Sequence, residues 1–225
     1  MRPRPAFRLY LITDRRLAAA NGGILDVVGR ALRGAAEVAP PGAVAVQLRE
    51  KNLDARALAE LGAAMLQICA QHGAPLLIND RIDVALAIGA DGAHLPADSF
   101  DPADARALLG ESRLIGVSTH SAEEVINTSS AADFVVFGPV FDPISKAAYT
   151  QATGSSGLAE AAARSSLPLY ALGGVTAERI GQISQELNFA YLSKLAGVAV
   201  IGAVIGAQDP GTATQNLLIA LESAK

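Results

Sequence analysis

The sequence predicts a single-domain α/β protein that folds as a closed (β/α)8 barrel. Short apolar strands alternate with helices eight times along the chain, and no second kind of segment interrupts them. The length of 225 residues suits eight compact units better than two independent cores. Because no change in composition marks a linker, residues 1–225 are predicted to form one domain. A doubly wound open sheet would show the same alternation and is the alternative fold.

The first four strands are short apolar runs, most of which end in polar residues. The helices between them carry apolar side chains at intervals of three and four residues, and the first of these helices covers 23–38. Asp54 is predicted to cap the second helix, and Gly89 is predicted to end the third. The four strands are predicted at 8–13, 44–51, 75–80 and 92–95.

The last four strands are predicted at 113–118, 133–138, 167–172 and 197–201. The segment 139–156 contains two Pro-flanked turns without clear periodicity, so it is predicted to be a functional loop that resembles a lid. The helices of this half begin at residues typical of helix N-termini. These are Asp101 followed by Pro102, Ser121 in a capping box with Glu124, Thr176, and Asp209 followed by Pro210.

The composition excludes several classes of protein. A net charge of -4 and a pI near 5.4 provide no broad basic surface, so neither nucleic acid nor an anionic membrane is an expected partner. No apolar run is long enough to span a membrane and no secretory h-region is present, so the protein is expected in the cytoplasm. The single Cys69 is predicted to be a buried structural thiol. Because 51% of the residues are apolar, a homodimer that buries part of that surface is a further expectation.

The stretch 44–51, Val-Ala-Val-Gln-Leu-Arg-Glu-Lys, begins as a buried strand and ends in charged residues. Since side chains alternate between the two faces of a strand, Gln47, Arg49 and Lys51 are predicted to lie on one face. A guanidinium beside an ammonium suits phosphate or pyrophosphate, and barrel enzymes bind ligands at the C-terminal ends of their strands. Charges that simply extend from a strand end into solvent are the alternative interpretation.

Polar side chains follow other strands too, and in a barrel the residues just after the strands assemble the active site. Strand seven ends instead at Gly173 and Gly174, and strand eight at Ile201 and Gly202. Small residues before helix N-termini leave backbone N–H groups free for a phosphate, although a Gly-Gly pair is also typical of an ordinary tight turn. The polar candidates are Asn79, Asp80, His94, Asp98, Ser118, Thr119, His120 and Lys146.

Three of these candidates suggest specific chemistry. Asp80 beside two cations and a polyphosphate would suit Mg2+, which takes one or two carboxylates plus phosphate oxygens; the alternative is an N-cap for the following helix. His94 is predicted to be a structural hydrogen-bonding group, whereas His120 is either a proton-transfer group or a surface loop residue. The sequence has no Cys/His metal spacing, no Walker loop and no Gly-x-Ser-x-Gly elbow.

Six motifs occur in one order between Tyr10 and about Val204. They are Tyr10-Leu-Ile-Thr-Asp14, Val46-Gln-Leu-Arg-Glu-Lys51, Asn79-Asp80 with Ala90-Asp-Gly-Ala-His94, Gly116-Val-Ser-Thr-His120, Phe137-Gly-Pro-Val140 with Lys146, and Ala171-Leu-Gly-Gly174. Together they resemble the thiamine-phosphate synthase family. The resemblance implies a TIM barrel that couples hydroxymethylpyrimidine diphosphate to thiazole phosphate, with Mg2+ as cofactor. Diphosphate would leave from a stabilised pyrimidine cation.

The resemblance also implies roles for individual residues. Lys51, Lys146 and His120 are expected to be catalytic. Asp80 is expected to bind Mg2+, with Asp98 as a candidate second ligand. Gly173, Gly174 and Gly202, with Ile201 beside them, are expected near the thiazole phosphate. The residues expected to contact the pyrimidine substrate and its diphosphate are Gln47, Arg49, Lys51, Asn79, Ser118 and Lys146.

The chain departs from the synthase pattern after His94, where it reads Pro96-Ala-Asp-Ser99 and places Ser99 at the position of the second magnesium ligand. The segment 185–196 is also longer than the pattern expects. Other short motifs, such as His120-Ser121, resemble a TenI-type thiazole tautomerase, in which a histidine matching His120 shifts a proton. The synthase is the preferred interpretation because the diphosphate contacts and Asp80 are present. The tautomerase and a non-catalytic paralogue that binds thiazole phosphate are the alternatives.

Overall fold

The structure, a computed structural model, describes residues 4–142, 151–187 and 194–224. Eight parallel strands close into one barrel in sequence order, because each strand pairs with the next and the last pairs with the first. The predicted barrel is confirmed, and the doubly wound alternative is wrong. The strands are β1 (Leu9–Ile12), β2 (Val44–Leu48), β3 (Leu76–Asn79), β4 (Gly92–Leu95), β5 (Leu114–Thr119), β6 (Phe134–Phe137), β7 (Leu169–Leu172) and β8 (Leu195–Val200).

Helices connect the strands and pack against the outer face of the barrel. Two of the short ones were not predicted from the sequence: one follows β1 directly, and one follows β8. The helices are α1 (Arg15–Ala18), α2 (Ile24–Val38), α3 (Ala55–Gln71), α4 (Ile82–Ile88), α5 (Pro102–Leu109), α6 (Ala122–Asn127), α7 (Gly154–Arg164), α8 (Ala177–Glu186), α9 (Gly202–Ile205) and α10 (Pro210–Ser223), with a 3-10 turn at Ala19–Asn21.

The predicted helix starts are confirmed by their capping hydrogen bonds. The side chains of Asp54, Asp101, Thr176 and Asp209 each accept a hydrogen bond from the first turn of the helix that follows. The predicted capping box at Ser121 forms only in part. Ser121 Oγ accepts from the Glu124 N–H, but the Glu124 carboxylate accepts from the N–H of His120 rather than that of Ser121.

An aromatic cluster fills the N-terminal half of the barrel interior. It consists of Phe7, Tyr10, Phe134 and Tyr170. The rings of Phe7 and Tyr170 are stacked, with their centroids 4.8 Å apart. The hydroxyl of Tyr170 donates to the carbonyl of Phe7 at 2.8 Å, so its polar atom is satisfied inside this apolar layer. Since the rings occupy the lower interior, a ligand is expected to enter the barrel from the C-terminal ends of the strands.

Cys69 lies on α3 and is buried, as predicted. Burial raises the pKa of its thiol to about 12, and the negative charge of Asp91 acts in the same direction. A thiol in this environment stays protonated and is a poor nucleophile. In the described part of the chain, the helices are all too short or too polar to cross a bilayer.

Candidate active site

A polar layer lies above the aromatic cluster, at the C-terminal ends of β2 to β5. Side chains two residues apart on a strand share a face, and the interior cluster includes Ala45, Leu77 and Leu114. The inner faces of these strands therefore continue into polar residues. The members of this layer are Gln47 on β2, Asn79 on β3, His94 on β4 and Ser118 on β5.

The amide of Gln47 is held by the phenol of Tyr10. Gln47 is only 1% exposed, and its Nε2 donates to the Tyr10 hydroxyl at 3.2 Å. Burial raises the pKa of Tyr10, while the hydrogen bond from Gln47 opposes that shift, so the phenol stays protonated. The aromatic layer thus fixes the orientation of the amide at the barrel mouth.

The predicted strand 44–51 is longer than β2, which ends at Leu48. Arg49 is half-buried, Glu50 is buried and Lys51 is exposed. The two cations therefore lie in the loop after β2, at the barrel mouth. Among the described residues, neither Arg49 nor Lys51 forms an ion pair with a carboxylate. Their positive charges remain available to an anionic ligand.

Glu50 belongs to a hydrogen-bonded chain that sequence reasoning missed. Its Oε1 accepts from the Thr13 hydroxyl at 2.9 Å and from the N–H of Arg15 at 3.0 Å. Thr13 Oγ1 in turn accepts from the backbone N–H of Arg49 at 2.9 Å. Burial raises the pKa of Glu50, and the hydrogen bonds from Thr13 and Arg15 oppose that shift. The sequence feature that could have identified Glu50 is the alternation of side chains between the two faces of a strand, which places Glu50 opposite Gln47 and Arg49.

The structure places Asp80 at a strained position after β3. Asp80 has φ of 65°, a left-handed conformation that Asp tolerates better than most residues. The N-cap of α4 is Arg81, and in the described part of the chain no side chain caps that helix, so the capping interpretation of Asp80 is wrong. The hydroxyl of Ser99 donates to Asp80 Oδ1. The exposed carboxylate thus remains free to act on a ligand, with Ser99 holding one oxygen.

The residues around Asp80 suit a metal ion whose coordination is completed by a bound substrate. Ser99 forms a hydrogen bond with Asp80, and Asp98 is exposed. Within the described ranges, no group of three or more His, Cys, Asp or Glu side chains could hold a metal by itself. Mg2+ is commonly bound by one or two carboxylates together with substrate phosphates, and this donor set fits that arrangement.

His94 is fully enclosed in the polar layer. It is 2% exposed, and its Nε2 lies 2.9 Å from Ser118 Oγ. Burial lowers the pKa of His94 to about 3, and the positive charge of Arg49 acts in the same direction. The ring is therefore neutral at physiological pH, as suits the predicted hydrogen-bonding group. The Nδ1 atom is buried and has no hydrogen-bond partner within the described ranges.

His120 follows β5 directly and is exposed. Its Nδ1 lies 2.6 Å from the carbonyl oxygen of Gly138, and because a carbonyl only accepts, Nδ1 carries the proton of this hydrogen bond. The lone pair of the neutral ring is consequently on Nε2. His120 is thus oriented by the segment after β6 through its Nδ1 hydrogen bond.

The loop after β7 packs closely against the segment after β6. Gly173 and Gly174 have φ of 102° and 59°, and a Cβ on Gly173 would lie 2.6 Å from the Cα of Pro139. The Gly173 carbonyl accepts from the N–H of Phe141 at 3.1 Å. Since N–H and C=O point in opposite directions in a trans peptide, the Gly174 N–H points away from Phe141.

The end of β8 is more open. Ile201 is half-buried, and Gly202 is exposed and begins α9. A Cβ at Gly202 would have no described atom within 4 Å, so the space beside its backbone is open to a ligand. The glycines after β7 and β8 therefore lie at the same end of the barrel as Ser118, where the strands end.

Lys146, a predicted catalytic and substrate-binding residue, lies outside the described residues. The predicted lid, 139–156, is shorter than expected because α7 already begins at Gly154. The predicted long segment at 185–196 also lies partly outside the described residues, since it includes 188–193.

Comparison with known proteins identifies one family along most of the chain. Residues 9–204 match the sequence profile described as Thiamine monophosphate synthase. A thiamine-phosphate synthase of Roseiflexus castenholzii is 40% identical over 93% of this chain and 86% of that protein. A thiamine-phosphate synthase of Chlorobium luteolum is 39% identical over 96% of this chain and 94% of its own.

Solved structures give the same result. The thiamine phosphate pyrophosphorylase from Pyrococcus furiosus is 31% identical, has a TM-score of 0.80, and the alignment covers 98% of each chain. A 3-hexulose-6-phosphate synthase has a TM-score of 0.63 at 18% identity, which reflects a common barrel fold alone.

Proposed function

The chain belongs to the thiamine monophosphate synthase family, and from this premise we propose that its barrel mouth joins hydroxymethylpyrimidine diphosphate to thiazole phosphate with release of pyrophosphate. The protein is a transferase of thiamine biosynthesis that acts on small phosphorylated substrates. Its location in the cytoplasm, its assembly as a homodimer and the absence of a nucleic-acid partner stay predictions from the sequence.

The observation that carries this proposal is the pair of unneutralised cations at the barrel mouth. Arg49 and Lys51 follow β2 without an ion-pair partner in the described part of the chain. Diphosphate departs with its negative charge increasing on the leaving oxygens, so donors and cations fixed beside it lower the barrier to that step. Ser118 would add a hydroxyl donor from β5, and Lys146 would add a third cation.

The pyrimidine ring would lie against the polar layer. Gln47 is held by Tyr10, and Asn79 is half-buried on the inner face of β3, so two amides line the mouth. A ring held in one orientation exposes one carbon to the thiazole nitrogen when diphosphate leaves. Positioning of the two substrates then supplies a large part of the rate acceleration.

The thiazole phosphate would bind beside the glycines of β7 and β8. Support comes from the Gly174 N–H, which points away from Phe141, and from the open space at Gly202. Backbone N–H groups at the ends of barrel strands seven and eight are a common phosphate site in this fold. Ile201 would form the apolar wall between them.

Asp80 would hold Mg2+ together with the diphosphate, with Asp98 as a further candidate. When bound, the ion neutralises charge that develops on the departing diphosphate. Ser99 would keep Asp80 oriented for this role by its hydrogen bond to Oδ1.

The proposal is tested by incubating the purified protein with both substrates and Mg2+, and by measuring pyrophosphate and thiamine phosphate. Formation of both products at equal rates is the expected result. If neither product forms while the protein still binds thiazole phosphate, the chain is a binding paralogue and the synthase proposal is wrong.

The thiazole tautomerase is the second candidate function, and one observation favours it. The hydrogen bond from His120 Nδ1 to Gly138 leaves Nε2 as a proton acceptor at an exposed position. A general base needs such a nitrogen within reach of the carbon-bound proton. Assay of carboxythiazole phosphate aromatisation by the same preparation tests this function directly.

A further inference from the structure

The hydrogen bond between His94 and Ser118 can run in either direction, and the surrounding atoms determine which direction forms. A neutral imidazole carries one proton, so either Nε2 donates to Ser118 Oγ or the Ser118 hydroxyl donates to Nε2. In the first case the hydroxyl proton of Ser118 is free. In the second case the Ser118 hydroxyl proton is donated to Nε2, and Ser118 offers only lone pairs to a ligand.

The surroundings of the other ring nitrogen favour the first case. Nδ1 is buried and, among the residues that the structure describes, has no hydrogen-bond partner. If Nδ1 carried the proton, an unpaired N–H would be buried, which folded proteins rarely permit. If Nε2 carries it, Nδ1 buries only a lone pair.

The ring of Phe134 supplies an independent argument. Phe134 Cζ and His94 Nδ1 lie 2.3 Å and 2.6 Å from the point that a Cβ on Gly116 would occupy. The Cζ edge of Phe134 and Nδ1 therefore border the same small space beside Gly116. Because the edge of an aromatic ring is positively polarised, it suits a lone pair and repels an N–H.

The charge state of His94 is fixed by the same packing. The ring lies among the rings of Tyr10 and Phe134, with centroid distances of 5.6 Å and 6.1 Å. A cation in this layer would be desolvated and would face the nearby positive charge of Arg49, so the ring stays neutral.

We propose that His94 is a positioning residue, which donates from Nε2 to Ser118 Oγ and so commits the Ser118 hydroxyl proton to the oxygens of the substrate diphosphate. This inference rests on the proposed function. Ser118 is half-buried, and its Oγ has no other hydrogen-bond partner in the described part of the chain, so its proton is free to turn toward the barrel mouth. An anion requires donors, and the opposite tautomer would present it with a repulsive lone pair.

Nuclear magnetic resonance of protein labelled with 15N-histidine tests the tautomer without any activity. The chain has three histidines, and the spectrum of His94→Gln identifies the signals of His94. The expected result is a neutral ring with the proton on Nε2 and a lone pair on Nδ1. A proton on Nδ1, or on both nitrogens, would overturn the proposal.

Pyrophosphate binding, measured by calorimetry in the presence of Mg2+, tests the action of His94 through Ser118. We expect His94→Phe and Ser118→Ala each to weaken binding about 10- to 100-fold, the loss of one charge-assisted hydrogen bond. The double variant should bind no more weakly than Ser118→Ala alone, because His94 acts only through that hydroxyl. Losses that multiply in the double variant, or no loss in His94→Phe, would contradict the proposal.

Two further variants separate positioning from a general loss of packing. In His94→Gln the side-chain amide nitrogen can reach the place of Nε2 and should restore binding, whereas His94→Asn is too short and should not. His72→Phe is the matched control. His72 lies beyond the C-terminus of α3, where the chain leads back toward the N-terminal end of β3. This variant should bind pyrophosphate as the wild type does. Equal binding by the Gln and Asn variants would exclude a role for the Nε2 donor. Pyrophosphate binding that follows the expected pattern in a protein without synthase turnover would sustain the positioning role while refuting the proposed function.

Discussion

The Thr13 hydroxyl connects the carboxylate of Glu50 with the backbone of Arg49, since it donates to Oε1 of Glu50 and accepts from the N–H of Arg49, both at 2.9 Å. The loop that carries the two cations is thereby attached to the end of β1. The position of Arg49 at the barrel mouth thus depends on a hydroxyl 36 residues away in sequence.

Thr13→Val tests this connection, because valine has nearly the same shape and lacks the hydroxyl. The variant leaves a buried carboxylate with one donor fewer and an N–H without its acceptor. We expect a loss of about 1–3 kcal/mol in the free energy of unfolding, measured with urea. Thr128→Val, which removes a hydroxyl that donates to the Glu124 carbonyl on α6, should change the free energy of unfolding by less than about 0.5 kcal/mol. Equal effects of the two changes would contradict the role of Thr13.

Replacement of Lys51 and of His120 by alanine distinguishes the two enzymatic functions. In a synthase, Lys51→Ala removes a cation from the leaving diphosphate and should reduce kcat/KM roughly 100-fold, whereas His120→Ala should retain most of the rate. In a tautomerase, His120→Ala should cost roughly 100- to 10,000-fold and Lys51→Ala little. We expect the first pattern when both variants are assayed in both reactions. The reverse pattern would favour the tautomerase.

Magnesium binding should depend on diphosphate. The Asp80 carboxylate is held by the Ser99 hydroxyl, and in the described part of the chain no group of three or more His, Cys, Asp or Glu side chains surrounds a metal position. Calorimetric titration of the free protein with Mg2+ should give weak binding, and added pyrophosphate should strengthen it because its oxygens complete the coordination. Asp80→Asn should abolish the enhancement. Tight binding of Mg2+ to the free protein would argue against a site completed by substrate.

Stability should fall on acidification because of His94. The pKa of His94 is lowered to about 3 by burial and by Arg49, while the unfolded chain binds a proton near the ordinary value of 6.5. Between these values the unfolded state holds more protons than the folded state. The contribution of His94 to the free energy of unfolding is therefore fully present above about pH 6.5 and is lost progressively toward pH 3. From pH 7 to pH 5 the contribution of His94 amounts to about 2 kcal/mol.

The measurement is the difference between wild type and His94→Gln in urea unfolding at pH 7, 6 and 5. This difference removes the effect of Glu50, whose raised pKa has the opposite sign and is common to both proteins. The wild type should lose more stability than the variant. Parallel losses would mean that His94 is not kept neutral by its burial.

The sequence by itself determined the barrel, the order of its elements and most of its polar strand ends. These features are local: apolar periodicity marks the strands and helices, and capping residues such as Asp54 and Asp101 mark helix starts. Gln47, Asn79 and Ser118 were placed on the right strands because each directly follows an apolar run.

Only the tertiary structure decided how these residues meet. Thr13 and Glu50 are 37 residues apart, and His94 and Ser118 are 24 apart, so their hydrogen bonds depend on the register between neighbouring strands. The strand predicted through Lys51 is shorter in the structure because β2 ends at Leu48, a boundary that pairing with β1 and β3 sets. Register and burial arise when the barrel closes, and periodicity within one segment carries no information about them.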